Sequence, residues 1–144
     1  ATGFKISTDL ERIGDHAFDI AKTVSVLAAG TPLQNFFYTR QLAECAVEML
    51  NMAMDAYRRG DVPLAEAVCH KDDEMDDLFA RTFMELSHQT GSDAELAGKI
   101  TQLMFVARFL ERIGDHATNI AEWVIYLETA ERIRKIKGKP EIRG

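Results

Sequence analysis

Cysteine is nearly absent. Cys45 and Cys69 stand alone in helical-looking segments, which excludes a disulfide framework and a CxxC metal motif. That scarcity points to a reducing compartment, so the expected location is cytoplasmic. No apolar run approaches the ~20 residues that span a bilayer, and the chain reads as having no secretory leader. Proline occurs three times in 144 residues, and no alternating apolar–polar stretch competes with helical spacing. Positive charge is also short: 17 basic residues face 23 acidic ones, and the net charge of -6 argues against a nucleic-acid binder, which would show a basic face. No Ser/His/Asp array, glycine-rich phosphate loop or Walker pattern supports an enzyme. The one basic stretch, Arg132-Ile133-Arg134-Lys135-Ile136-Lys137-Gly138-Lys139, reads as cations at a helix C-terminus rather than a lipid or phosphate contact.

What is present is helix. The chain is 47% hydrophobic and 28% charged, the balance of one globular domain with a real core. Helix one runs from near the start to about Ala29, with Gly30 as its stop. Thr31-Pro32 then opens helix two, about Pro32 to Arg59, whose apolar stripe reads Leu33, Phe36, Phe37, Ala43, Val47, Leu50, Met54 and Tyr57. Gly60 closes it, and Asp61 caps helix three with Pro63 in its first turn; this helix reaches about His88. Ser92-Asp93-Ala94-Glu95 is a capping box for helix four, which continues to about Lys135. The expected fold class is all-α, an up-and-down antiparallel bundle of long helices.

Eight residues occur twice, 100 positions apart: Leu10-Glu11-Arg12-Ile13-Gly14-Asp15-His16-Ala17 returns as Leu110-Glu111-Arg112-Ile113-Gly114-Asp115-His116-Ala117. Two copies of one ancestral unit are implied. Helix one precedes its copy by too few residues and lacks the two helices that precede helix four. The expected organisation is therefore 1–30 as the last helix of an incomplete first unit, 31–137 as a complete three-helix unit, and 138–144 as a tail. Helix one must then bury its apolar face on the complete unit or on a second chain.

Leu10, Ile13, Ala17, Ile20, Val24 and Leu27 form a heptad seam, and so do Leu110, Ile113, Ala117, Ile120, Val124 and Leu127. Glu11, Asp15 and Asp19 stack at i, i+4 and i+8 on the far side of the first seam; Glu111, Asp115 and Asn119 do so in the second copy. Helix three offers Asp72/Asp76 and Asp73/Asp77, again four apart. Oxygen-only ligands from two antiparallel helices suit Mg, Ca, Mn or iron. A solvated acidic surface is the other reading, and spacing alone leaves both open. Gly14 and Gly114 cost their helices about 1 kcal/mol each relative to alanine. They suggest a close neighbour, although duplication alone would repeat them. His16 and His116 could be ligands or hydrogen-bond partners, but the plainer reading is partly exposed and uninvolved side chains.

The octapeptide, followed by Asn119-Ile120-Ala121-Glu122 and preceded in the first copy by Lys5-Ile6-Ser7-Thr8-Asp9, resembles the signature helix of the PhoU family over nearly the whole chain. The resemblance implies two three-helix bundles related by duplication. It implies a metal cluster of iron, zinc or similar ions held by Glu111 and Asp115, with Asn119 as a third ligand, and by Asp72 and Asp76 of the preceding helix, where Met75 stands before the second Asp. Glu11, Asp15 and Asp19 match the first signature helix, whose partner motif has no counterpart here. The resemblance further implies a regulator that keeps phosphate-starvation genes off when phosphate is plentiful. Its partners would be a sensor histidine kinase and the ATPase of a phosphate ABC transporter at the membrane face, with the protein itself a homo-oligomer. Two rival classes remain. A carboxylate di-metal oxidase would use Glu-x-x-His motifs aimed into a bundle, whereas here histidine follows Glu at i+5. A plain helical interaction module would use the acidic lines only for solubility.

Overall fold

The computed structural model describes residues 2–29, 36–89 and 93–138, with side chains from residue 5 onward. Within them lie α1 (Thr2–Leu27), α2 (Phe37–Arg59), α3 (Val62–Ser87) and α4 (Ala94–Ile136), and no strand. The Gly30 stop and the Pro32 start of helix two fall outside the described residues. None of the helices is long and apolar enough to cross a membrane.

Local chemistry sets most helix ends. Gly60 takes a left-handed conformation (φ 64°) after α2, which glycine adopts without steric cost. Asp61 then accepts a hydrogen bond from the Leu64 N–H at 3.0 Å and starts α3 with proline in its first turn. At α4 the expected capping box is corrected. Asp93, not Ser92, is the N-cap, accepting from the Glu95 and Leu96 N–H groups, and Ser92 lies outside the described residues. The start of α2 has no cap of its own: the Phe36 side chain makes no cap bond. Instead Glu85 of α3 accepts from the Tyr38 and Thr39 N–H groups at 3.1–3.3 Å.

Helices α2, α3 and α4 pack pairwise into a three-helix unit, while α1 touches α4 alone. The up-and-down ring of four helices is therefore not closed, because α1 and α2, neighbours in sequence, share no contact among the described residues. The repeated seam shows the consequence. In α4 all six seam residues are buried, from Leu110 and Ile113 to Val124 and Leu127. In α1 only Ile13 matches that burial; Leu10 is 37% and Val24 48% exposed. The line α1 actually buries is Ile6, Asp9 and Ile13, continued by half-buried His16 and Ile20. A helix with one neighbour covers one line, and a helix with three covers most of its circumference.

The apolar stripe expected on α2 is rotated. Leu42, Cys45, Ala46, Met49, Ala53 and Ala56 are buried, whereas Phe37, Val47 and Tyr57 are exposed. Of the expected set, Phe36 is buried, Ala43, Leu50 and Met54 are partly buried, and Leu33 lies outside the described residues. The face turned inward carries four small side chains, Cys45, Ala46, Ala53 and Ala56, beside Leu42 and Met49, and so suits close helix packing.

The two glycines separate in the same way. A Cβ on Gly114 would meet Met75 Cε at 3.0 Å, Met75 Cγ at 3.3 Å and Met49 Sδ at 3.6 Å. A Cβ on Gly14 would meet nothing within 4 Å. The second copy uses its glycine for close approach, as the sequence suggests; the first copy does not.

Candidate metal centre

The contact of Met75 with Gly114 positions the acidic residues. Met75 precedes Asp76 on α3, and Gly114 precedes Asp115 on α4, so this tight contact between the two helices falls beside two carboxylates. Asp72 and Asp76 are one turn apart on α3, and Glu111 and Asp115 are one turn apart on antiparallel α4. The structure thus draws together four of the residues singled out in the sequence.

Their mutual effect is electrostatic. Partial burial, then the charges of Asp76, Asp115, Asp73 and Glu111, push the Asp72 carboxyl above its ordinary value. Asp115 is raised by partial burial and then by Asp76, while His116, Arg112 and Arg108 pull it back. Partial burial and like charge together disfavour the ionised forms of Asp72 and Asp115. Asp72 Oδ1 is also buried with no hydrogen-bond partner, and buried polar atoms are rarely left so. An orphaned oxygen inside an oxygen-only donor set fits a bound cation. As they stand, no three His, Cys, Asp or Glu side chains among the described residues form a group that could hold a metal ion, and one oxygen of Glu111 is bonded to Arg108 at 3.0 Å.

The other candidates lie elsewhere. Asp77 pairs with Arg81 at 2.9 Å, whereas Asp72 feels the charges of Asp115 and Glu111 and Asp115 feels that of Asp76, so the Asp72/Asp76 frame is the one facing α4. Asn119 points to α1, where its amide donates to Asp9 Oδ1 at 3.3 Å. Glu11 and Asp15 are exposed and Asp19 half-buried. Because α1 has no second helical neighbour among the described residues, this line meets no counterpart of Asp72 and Asp76.

A polar clasp between α1 and α4 is absent from the sequence expectation. Asp9 Oδ1 lies 2.9 Å from His116 Nδ1. The His16 ring stacks on His116 at 5.7 Å and on Phe109 at 5.8 Å. Lys5 Nζ sits 5.5 Å from the centre of the Trp123 ring. Burial and then the neighbouring His116 lower the pKa of His16. The histidines are therefore interface residues, not uninvolved ones. The signal was Asp9 itself, a carboxylate in the heptad line between Ile6 and Ile13.

The chain is also similar to known proteins. Residues 39–124, from the start of α2 through most of α4 and including all four clustered carboxylates, match the family model of the PhoU domain. A Clostridium acetobutylicum protein named phosphate-specific transport system accessory protein PhoU homolog is 38% identical over 92% of this chain and 60% of its own length. Proteins of the same name from Rhizobium meliloti and Zymomonas mobilis are 36% and 37% identical, over 87% and 94% of this chain. The chain spans 53%, 57% and 60% of the lengths of these three relatives. A four-helix, all-α structure carrying the signature helix twice and matching the domain over most of its core belongs to the PhoU family.

Proposed function

We propose that the chain is a non-catalytic regulator of phosphate uptake and phosphate-starvation signalling. It would act by binding a sensor histidine kinase and the ATPase of a phosphate ABC transporter in the cytoplasm, with a metal ion held by Asp72, Asp76, Glu111 and Asp115. The observation that carries the metal reading is the orphaned Asp72 Oδ1, on a carboxyl raised by partial burial and by the neighbouring charges of Asp76, Asp115, Asp73 and Glu111. Relatives named as accessory proteins of a phosphate transport system support the regulatory reading. Hard or borderline ions such as iron, zinc or manganese suit the donor set; a bound ion would supply positive charge that joins α3 to α4 and gives partners a fixed surface.

The repeat supports a second part of this proposal. Leu110, Gly114, Ala117, Ala121 and Val124 are buried in α4, and their equivalents Leu10, Gly14, Ala17, Ala21 and Val24 lie exposed on α1. We read α1 as the last helix of a first repeat, with its open seam shaped to take the other helices of that repeat or those of a second copy.

Elemental analysis of protein purified without chelator tests the metal assignment. Protein that is metal-free and takes up neither iron, zinc nor manganese would favour a plain helical module. Pull-down of the kinase's cytoplasmic region, with the native chain and with Glu111→Ala/Asp115→Ala, tests the regulatory assignment. Capture by neither form would refute it.

A further inference from the structure

Among the described residues, Glu111 is the only member of the acidic quartet in an ion pair, and its partner is well anchored. Arg108 Nη1 lies 3.0 Å from Glu111 Oε1, and the guanidinium stacks over the Phe79 ring at 5.1 Å. The placement follows from the helices: Arg108 is one turn before Glu111 on α4, and Phe79 is one turn after Asp76 on antiparallel α3. The cation therefore closes one end of the acidic groove and spans it from α4 to α3. Glu111 is well covered, its side chain 18% exposed, while Arg108 remains 50% exposed and has room to swing outward.

We propose that Arg108 is the built-in counter-cation of this groove: seated on Phe79, it holds Glu111 until a metal ion displaces it, and so sets how tightly the groove binds metal. The inference rests on the metal reading above. An oxygen already accepting from a guanidinium is a poorer ligand, and two cations in one groove repel. Arginine suits the role because it stays charged at any working pH and stacks flat on an aromatic face. Arg112 supplies a contrast. Its charge is also felt at Asp115, but it forms no ion pair with any of the four carboxylates among the described residues.

The test is calorimetric titration of Zn2+ into chelator-stripped native chain, Arg108→Gln and Arg112→Gln, each checked for native helicity. Removing a unit positive charge several ångströms from a divalent ion in a wet groove is worth roughly tenfold in affinity. Arg108→Gln is expected to bind about tenfold more tightly, and Arg112→Gln no more than about threefold. Unchanged or weaker binding by Arg108→Gln overturns the proposal, because Arg108 would then be idle or would position Glu111 as a ligand. Equal tightening by both variants also overturns it, since only a general field would be at work. A second readout follows the Arg108 side-chain N–H by nuclear magnetic resonance. Zn2+ should move it to the position it takes in Glu111→Gln without metal; a signal that stays put while Zn2+ binds overturns displacement. Failure of both the native chain and Arg108→Gln to take up Zn2+ overturns the metal reading and this proposal with it. Uptake by the native chain with unaltered affinity in Arg108→Gln removes only the role of Arg108.

Discussion

One substitution made at two equivalent sites should act in opposite directions. Gly14 and Gly114 occupy the same place in identical octapeptides, and replacing mid-helix glycine by alanine favours the helix by about 1 kcal/mol. At Gly14 the new methyl meets nothing within 4 Å, so Gly14→Ala should stabilise the chain by about that amount. At Gly114 the methyl presses on the Met75 stem as well as its tip, at 3.3 and 3.0 Å, and Met49 closes the space at 3.6 Å. Both methionines are fully buried, so neither has room to retreat. Overpacking of this kind costs about 1–3 kcal/mol, which outweighs or cancels the helical gain and leaves Gly114→Ala destabilised by roughly 0–2 kcal/mol. The two variants should therefore differ by about 1–3 kcal/mol. Urea unfolding followed by far-ultraviolet circular dichroism counts all four helices and reads the difference directly. Equal stabilisation by both variants would refute the account of Gly114 as a point of close helix approach.

Other substitutions test separate contacts. Glu85→Ala should cost about 1 kcal/mol, the usual worth of an N-cap, and should speed amide exchange at Tyr38 and Thr39 ahead of the rest of α2. The raised carboxyls give a pH dependence with a definite sign. Asp72 and Asp115 bind protons more tightly in the folded chain than in the unfolded one. Their contribution to stability is therefore present below the ordinary carboxylate range and lost as pH rises through their raised pKa values. In chelator-stripped protein, Asp72→Asn should raise the melting temperature at neutral pH and change it little near about pH 3, where both forms are uncharged. Helix α2 offers a third test, by thermal melts: Val47→Lys on its exposed face should change stability by less than about 0.5 kcal/mol, whereas Ala46→Leu on its buried face should cost about 1–3 kcal/mol.

Much of this was legible in the chain. The α4 seam, the Asp61 cap and the left-handed Gly60 follow from spacing and residue type, because each depends on residues within a turn or two. The Asp72/Asp76 and Glu111/Asp115 pairs were legible as pairs, but their meeting depends on the antiparallel register of α3 against α4. Register is fixed by packing such as Met75 on Gly114. The α2 stripe differs from the expected one because bulk draws attention to Phe37, Val47 and Tyr57, while the inward face is made of Leu42, Cys45, Ala46, Met49, Ala53 and Ala56. The α1 seam was misread because the number of neighbours a helix has is not written in the helix. Arg108 stands three residues before Glu111, a spacing that allows an ion pair; what the sequence could not show was the Phe79 ring that holds it there.

The start of α2 has a consequence for how this fold can be divided. Its first free N–H groups are satisfied by a carboxylate forty-six and forty-seven positions further along the chain. The start of that helix thus draws on the assembled unit and not only on the residues beside it. A fragment cut before Glu85 would keep every residue of α2 and still lose its beginning. Helices α2 and α3 are for this reason best exchanged together between relatives, so that an acceptor stands where Glu85 stood.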